Sequence, residues 1–490
     1  MRPFFPIIYV RGYAMRPSDI AETVATPYMG FNLGSTKVRQ DWRGSVIRHI
    51  FESPLIRLMK EYGYRDVYQD GRELTGPIDE KSVLIYRYYE AADRDLGTGR
   101  RLSILEAAAG LKKLIHQLRD QVCGDDAVKR ADFRVYLVAH SMGGLVCRAF
   151  LQNDAVSSPA DRRLVDKVFT YATPHNGIDL AGANVPAILG LWDMNNFNRD
   201  RMAEYLGLPD DAPRVDSLNG RFPVERFFCL VGTNHRDYGI ARLAAGDMSD
   251  GLVRIENATV RGAPRAFVYR SHSGPYGIVN SEEGYQNLVR FLFGDLCVTG
   301  SLDCIHLPLP PSIRRAHEHG QRVRAAYYFE ATVAPRGAFM FKLNERRIET
   351  QSAVLRRFDE LFAPAGMPLE APRSPVLFSA FLDSRQITVG RTFVFSVDLA
   401  VSTTGYTVDG AMARRRHIPG EHLFRNTVTV RATPGEDGWN VRYVMADDQW
   451  GETRGRMAER DGEDWVIPLQ SAKGFAGRLR LKPRRRDGHS

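Results

Sequence analysis

At 490 residues, with 43% hydrophobic and 26% charged side chains, the chain is too apolar to be disordered and too long for one ordinary core, so two globular domains are expected. No apolar run reaches the roughly 18–20 residues that cross a bilayer as a helix, which sets aside a helical membrane protein. The net charge of +9 is uneven: residues 298–490 hold 29 basic and 22 acidic side chains (+7), and residues 1–297 hold 38 and 36 (+2). The excess therefore belongs to the C-terminal part, where Arg414–Arg416 and Arg484–Arg486 are dense runs. Such clusters are usually just solvated; the one partner they point to is an anionic membrane surface, and nothing points to nucleic acid.

The five cysteines (Cys123, Cys147, Cys229, Cys297, Cys304) are an odd, scattered set, of which only Cys297 and Cys304 are close enough to pair locally. Reduced thiols and a cytoplasmic location are expected. The apolar run Pro6–Val10 is too short for a signal-peptide core, although export by a route without a cleaved signal stays open.

In chain order, Pro6–Val10 reads as a first core strand that turns at Gly12-Tyr13. Residues 15–80 hold a long insertion, and within it Trp42–Tyr64 reads as two amphipathic helices. The first carries Val46, Ile47, Ile50 and Phe51; the second starts at the N-cap Ser53 and Pro54 and carries Leu55, Ile56, Leu58 and Met59. Ser82–Tyr89 is the next strand. Ser103 and Glu106 form a capping box for a helix with Leu111, Leu114, Ile115, Leu118 and Val122 on one face and Gly124 past its end. Arg134–Ala139 is a buried strand, followed at once by a helix with Leu145, Ala149 and Leu151. Lys167–Ala172, Arg226–Val231 and Ala266–Arg270 are further strands, and Asn280–Glu283 caps a closing helix with Leu288, Phe291 and Leu292. Strands alternating with helices demand a mainly parallel sheet with helices on both faces. Residues 178–224 break the rhythm; with Ile188, Leu189, Leu191, Trp192, Phe197 and Tyr205 they form either a cap over a site or an ordinary helical excursion.

The chemistry concentrates at Ala139-His140-Ser141-Met142-Gly143, set between a strand and an immediate helix. A serine on such a turn projects its hydroxyl above the sheet, and the N–H groups opening the helix point where an oxyanion forms. Gly143 fits because a side chain would crowd so tight a turn. Thr173-Pro-His175-Asn-Gly177 follows the next strand. An acid is expected on Ser249-Asp250-Gly-Leu-Val253, with Asp247 as competitor. A base is expected at His272, on the loop after the last strand, with His235 as runner-up.

These residues (Gly12, Ala139–Gly143, Thr173–Gly177, Ser249–Val253 and His272) make Pro6–Gly294 resemble the α/β-hydrolases, and within them the serine lipases and carboxylesterases. The order Ser141, Asp250, His272 is that of the family's catalytic triad. The resemblance implies hydrolysis of a carboxylic ester, of a lipid above all, through an acyl-serine, with no cofactor and no metal. It implies an oxyanion hole from the N–H groups of Met142 and Tyr13, and places His140, His175 and Trp192 near the substrate pocket. Arg11 stands where the family usually has histidine, and Ala139 where it usually has the first elbow glycine. An acyltransferase or thioesterase using the same triad, or a binding protein on an inactive scaffold, is the alternative.

Beyond a linker at Leu307–Pro311, residues 312–490 read differently from the hydrolase domain expected over 1–300. Val323 to Val333 alternates, as does Phe393 to Val401, and Thr427–Ala432, Trp439–Met445, Trp465–Leu469 and Phe475–Leu481 add shorter runs. Regular strands with few helices predict an antiparallel β-sandwich, without a site motif of its own.

Overall fold

The computed structural model describes residues 4–12, 31, 35–40, 43–69, 72–73, 76–92, 98–180, 183–184, 196–209, 211–236, 246–274, 277–336, 338, 341–363, 374–387, 390–409, 415–435, 438–448 and 455–486. By its contacts the chain divides into two units, Met1–Arg265 with Tyr269–Phe293, and Gly294–Gly488 with Ala266–Val268.

The first unit is built on a seven-stranded sheet. Its strands run side by side in the order Arg265–Val268, Phe227–Gly232, Val165–Tyr171, Val135–His140, Ile7–Val10, Ser82–Tyr86 and Arg65–Asp66. The neighbouring pairs from Phe227–Gly232 to Arg65–Asp66 are parallel. A parallel sheet covered by helices has no wet face, so its strands are apolar without alternation. Accordingly every residue of Ile7–Val10, Val135–His140 and Phe227–Gly232 is buried. The capping box at Ser103 and Glu106 is formed, and Gly124 ends the Ile104–Cys123 helix.

The Met142–Gln152 helix is buried on all sides, not along one stripe. It contains one cation, Arg148, with no carboxylate on its guanidinium. Instead Nε donates to Gln152 Oε1 (2.8 Å), Nη1 to the His175 carbonyl (2.7 Å), and Nη2 to the carbonyls of Val215 (2.7 Å) and Ser217 (2.8 Å). Burial lowers its pKa to about 10, so it is still charged at neutral pH. The rigid fork of donors ties two loops to one helix.

Two expectations are corrected. Val46–Phe51 is a strand, paired antiparallel with Ser35–Gln40, and not the first of two helices. Three β-branched residues in five positions disfavour a helix once a partner strand is available. The second expected helix is present as Pro54–Tyr62, with Ser53 Oγ accepting from the Leu55 N–H. Arg57 holds this helix to the closing helix Glu282–Phe293, pairing with Glu282 at 2.6 Å and lying 4.0 Å over the Tyr285 ring.

The second correction concerns residues 296–310. Leu296–His306 is a long strand at the heart of the second unit, between Val376–Leu382 and Ala476–Arg485, so the chain has entered that unit well before residue 300. Leu307–Pro310 merely joins this strand to the Pro311–Glu318 helix. Cys297 and Cys304 lie seven residues apart on the strand, roughly 23 Å at the ordinary rise, and cannot pair. None of the five cysteines is in a disulfide.

The second unit contains antiparallel sheets, one of five strands and one of seven among them. Both contribute to one apolar cluster, which includes Leu302 and Leu479 from the first and Phe329, Val397 and Val430 from the second. The alternations read from the sequence lie on its strands, with Tyr327, Phe329, Ala331 and Val333 facing inward together.

Removing the Arg148 fork leaves the carbonyls of His175 and Val215 without their donor, while Ser217 keeps the hydrogen bond from Gln152 Nε2. Arg148→Met should lower the unfolding free energy by about 3 kcal/mol or more. Arg148→Lys should recover little of it, because one ammonium cannot reach acceptors spread over a planar fork. Denaturant unfolding of the full chain checks this; a lysine variant as stable as the wild type would show that charge, and not geometry, is what the site needs.

Candidate active site

The elbow is crowded by three chain segments. Ser141 has φ 52° and ψ −127°, a backbone conformation that non-glycine residues rarely adopt. Its N–H donates to the Tyr171 carbonyl at 2.9 Å, so the strained turn is anchored to the neighbouring strand. A Cβ on Gly12 would fall on the Ser141 Cβ and 2.8 Å from the His140 carbonyl oxygen; one on Gly143 would fall on the Val10 carbonyl oxygen. These two positions must lack side chains for the strand end at residue 12 to lie against the serine. Ser141 occupies the N-cap position of the helix but makes no side-chain cap. Its hydroxyl is turned away from the helix amides and towards His272, 3.0 Å from Nε2. Met142, at the first helical position, therefore presents an N–H with no acceptor within the helix. Tyr13, the other expected oxyanion donor, lies outside the described residues, while Gly12 is where the elbow requires it.

Asp250 and His272 meet at the ends of two further strands. His272 Nδ1 is 2.9 Å from Asp250 Oδ2, and both residues are buried. The other carboxylate oxygen, Oδ1, accepts from the N–H groups of Leu252 (3.0 Å) and Val253 (2.8 Å), which fixes the rotamer. With Asp250 accepting at Nδ1–H, the lone pair of Nε2 is left for the serine hydroxyl. The His272 N–H donates to the Asp250 carbonyl at 3.0 Å. Two residues earlier, Arg270 makes a buried ion pair with Glu283 of the closing helix (2.7 Å), which pins the base loop from below. Gly232 lets the strands close up, since a Cβ there would stand 2.6 Å from the Arg270 carbonyl oxygen.

The runners-up are brought to each other and not to the serine. His235 Nε2 is 3.3 Å from Asp247, whose side chain is largely exposed. Of the residues expected near a pocket, Trp192 lies outside the described residues. His175 is fully buried: its Nε2 is 3.1 Å from Thr170 Oγ1, its ring meets Phe227 edge-on, and its carbonyl holds Arg148. Burial, and next the Arg148 charge, push its pKa well below the ordinary histidine value. His140 is beside the site, with Nε2 3.0 Å from the His272 carbonyl oxygen.

A polar network that the sequence did not announce surrounds residues 173–179. Asn257 Nδ2 donates to Asp179 (2.8 Å) and its Oδ1 accepts from Asn176 (2.9 Å), while Arg199 pairs with Asp179 at 2.8 Å. Asn176 and Asn257 are ordinary loop residues by type; only Arg148, a lone cation in an apolar helix, was a visible signal. The described part of residues 178–224 packs here, with Arg199–Leu206 as a helix whose Tyr205 carbonyl accepts from Asn153 (3.2 Å). Among the described residues there is no group of three or more metal-ligating side chains.

Residues 86–185 match the family model of the PGAP1-like alpha/beta domain. No curated protein matches the chain. Among solved structures, the product of gene lin2722 from Listeria innocua aligns at 13% identity, covering 59% of this chain and 94% of that one, with a TM-score of 0.28. Phospholipase PlaB from Legionella pneumophila aligns at 14% identity over 81% of this chain and 86% of its own, with a TM-score of 0.32. The Tle4-Tli4 complex contributes a chain at 19% identity, covering 35% and 46%, with a TM-score of 0.20. The family match spans the elbow strand, the elbow and the strand beside it, and the parallel seven-stranded sheet with helices around them is consistent with the α/β-hydrolase fold.

Proposed function

We propose that this chain is a serine hydrolase of carboxylic esters, with lipid esters as its substrate class and an acyl-serine as its intermediate. The observation that carries the reading is the continuous relay from Ser141 Oγ through His272 to Asp250, at 3.0 and 2.9 Å, mounted on a strained elbow. The lipid half rests on the likeness of the elbow, the Thr173–Gly177 loop and the Ser249–Val253 loop to those of serine lipases.

In the proposed cycle, Ser141 Oγ attacks the ester carbonyl carbon as its proton passes to His272 Nε2. The resulting oxyanion is stabilised by the Met142 N–H and the partial positive charge of the helix start. Asp250 holds the imidazole in the reactive tautomer and stabilises its cation. His272 then protonates the departing alkoxide. Water, activated by the same base, attacks the acyl-serine and releases the acid, returning the proton to Oγ. This sequence uses only side chains and water, so the expectation of a cofactor-free reaction is retained in the proposal.

For the second unit we propose contact with an anionic lipid surface. Its support is the placement of charge along Ala476–Arg485, where Arg478, Lys482 and Arg484 are exposed at alternate positions. Arg480, between them, is neutralised by Asp303, Asp461 and Asp464.

Ser141→Ala should lower turnover of a p-nitrophenyl ester by about a millionfold and abolish labelling by a fluorophosphonate, with the melting temperature held or raised. Undiminished labelling of that variant would end the serine assignment.

His272→Ala should match the serine defect. Asp250→Asn should cost on the order of ten-thousandfold in kcat, because the imidazole is then held in the wrong tautomer. His235→Ala and Asp247→Asn should each stay within about threefold of wild type, because the pair is made with an exposed carboxylate and is of little worth. Equal losses at His235 and His272 would mean that the base has been misassigned.

Full-length protein should sediment with phosphatidylserine-containing vesicles at low ionic strength and be released by salt. Reversing Arg478, Lys482 and Arg484 to glutamate should weaken that binding by about 100-fold or more, at about 1 kcal/mol per basic side chain, while soluble-ester turnover is unchanged. Vesicle binding that is insensitive to both salt and charge reversal would remove the electrostatic account.

A further inference from the structure

We propose that His140 is a positioning residue for the base, a neutral imidazole whose Nε2–H holds the His272 carbonyl and so couples the nucleophile strand to the base loop. The inference rests on the assignment of Ser141 and His272 as nucleophile and base, and adds to it a residue outside the triad.

His140 is the last residue of the Val135–His140 strand and the covalent neighbour of Ser141. It is buried, with Nε2 3.0 Å from the His272 carbonyl oxygen. A carbonyl only accepts, so Nε2 bears the proton and Nδ1 is the lone-pair nitrogen. The charged form is disfavoured by burial first, then by the neighbouring His272 and Arg11, all of which lower the pKa well below the ordinary histidine value. The two rings lie 5.0 Å apart, inclined at 46°. A charged His140 would therefore stand beside the imidazolium that forms each time the serine gives up its proton. The neutral state is the one that the reaction tolerates.

The geometric consequence follows from what else holds His272. Its N–H is bonded to the Asp250 carbonyl at 3.0 Å, so the acid loop fixes one side of its backbone. His140 fixes the other. Beyond residue 272 the chain turns at Gly274, with φ 89°, and Gly277 donates back to the Gly274 carbonyl. In the loop around it Ser271 Oγ donates to the Ser273 carbonyl at 3.1 Å and the Ile278 N–H to the Ser271 carbonyl at 2.9 Å, and the His140 hydrogen bond holds the His272 carbonyl between them. Because His140 and Ser141 are adjacent, that bond ties the backbone of the base to the residue next to the nucleophile, and hence sets the Oγ–Nε2 separation.

The test uses the full chain and three substitutions: His140→Leu, which removes the donor; His140→Gln, whose amide N–H reproduces a donor near the Nε2 position; and Ser141→Ala as reference. Melting temperature, fluorophosphonate labelling rate, and kcat and KM on a soluble ester are measured for each. His140→Leu should lower kcat on the order of 100-fold, the effect expected of an ångström-scale misplacement, with KM within about twofold. The fluorophosphonate labelling rate should fall in parallel with kcat, since both need the serine hydroxyl within reach of the base. His140→Gln should return to within about fivefold of wild type. If His140→Leu does not fold, His140→Gln decides alone. A glutamine variant that melts like the wild type yet loses kcat as deeply as a misplaced base overturns the inference, as does a leucine variant with unchanged kcat and labelling rate. Failure of wild-type labelling would instead sink the serine assignment itself, so the two outcomes are told apart.

Discussion

The first unit depends on one constraint, the approach of three chain segments around Ser141. A residue with φ 52° costs on the order of 1–3 kcal/mol of local strain and persists only where its surroundings leave it no other conformation. Here the surroundings are specific. The strand ending at Val10 and Gly12 lies against the elbow from one side, the Tyr171 carbonyl receives the Ser141 N–H from the other, and the Met142–Gln152 helix begins in the next residue. Ala172, next to Tyr171, is itself at φ 49°. The strain is thus shared between two neighbouring strand ends, and the apolar burial of the parallel sheet offsets it.

The part of the chemistry that was legible in the sequence was legible because it leaves little choice of residue. A turn in which Cβ atoms would strike a carbonyl needs glycine at 12 and 143, and the hydroxyl needs serine at 141; those letters stand out against any background. Asp250 was singled out by the Gly-Leu-Val that follows it and His272 by its place after the last strand, since a doubly wound sheet delivers its loops to one edge in a fixed sequence. His235 was set aside because it follows an earlier strand, and it is paired with Asp247. Sequence types could not reveal the role of His175, because a histidine in a loop beside a site reads identically whether its ring points to the substrate or bonds Thr170 in the framework.

Two elements were misread for a common reason. Over six residues such as Val46–Phe51, periods of 2 and 3.6 cannot be separated, and the choice fell to the partner strand Ser35–Gln40, which carries no conspicuous pattern. In Leu296–His306 the inward residues Leu296, Val298, Leu302 and Cys304 do alternate, but Gly300 interrupts them. That glycine is required because its Cα passes over the Phe378 ring, and the register against Val376–Leu382 shifts at this point. The interruption made the strand resemble a boundary when it is an interior strand of its sheet.

Arg148 carries a consequence for the order in which the molecule comes together. Its guanidinium binds carbonyls 27, 67 and 69 residues further along the chain. Until those segments arrive, docking the elbow helix would take a bare cation out of water with nothing to receive it. Closing loops of that length costs entropy that is recovered only when all the acceptors are in place. The clamp therefore makes the seating of the helix that begins at Ser141 depend on chain segments far from it in sequence, so the nucleophile's helix and those loops are stabilised together.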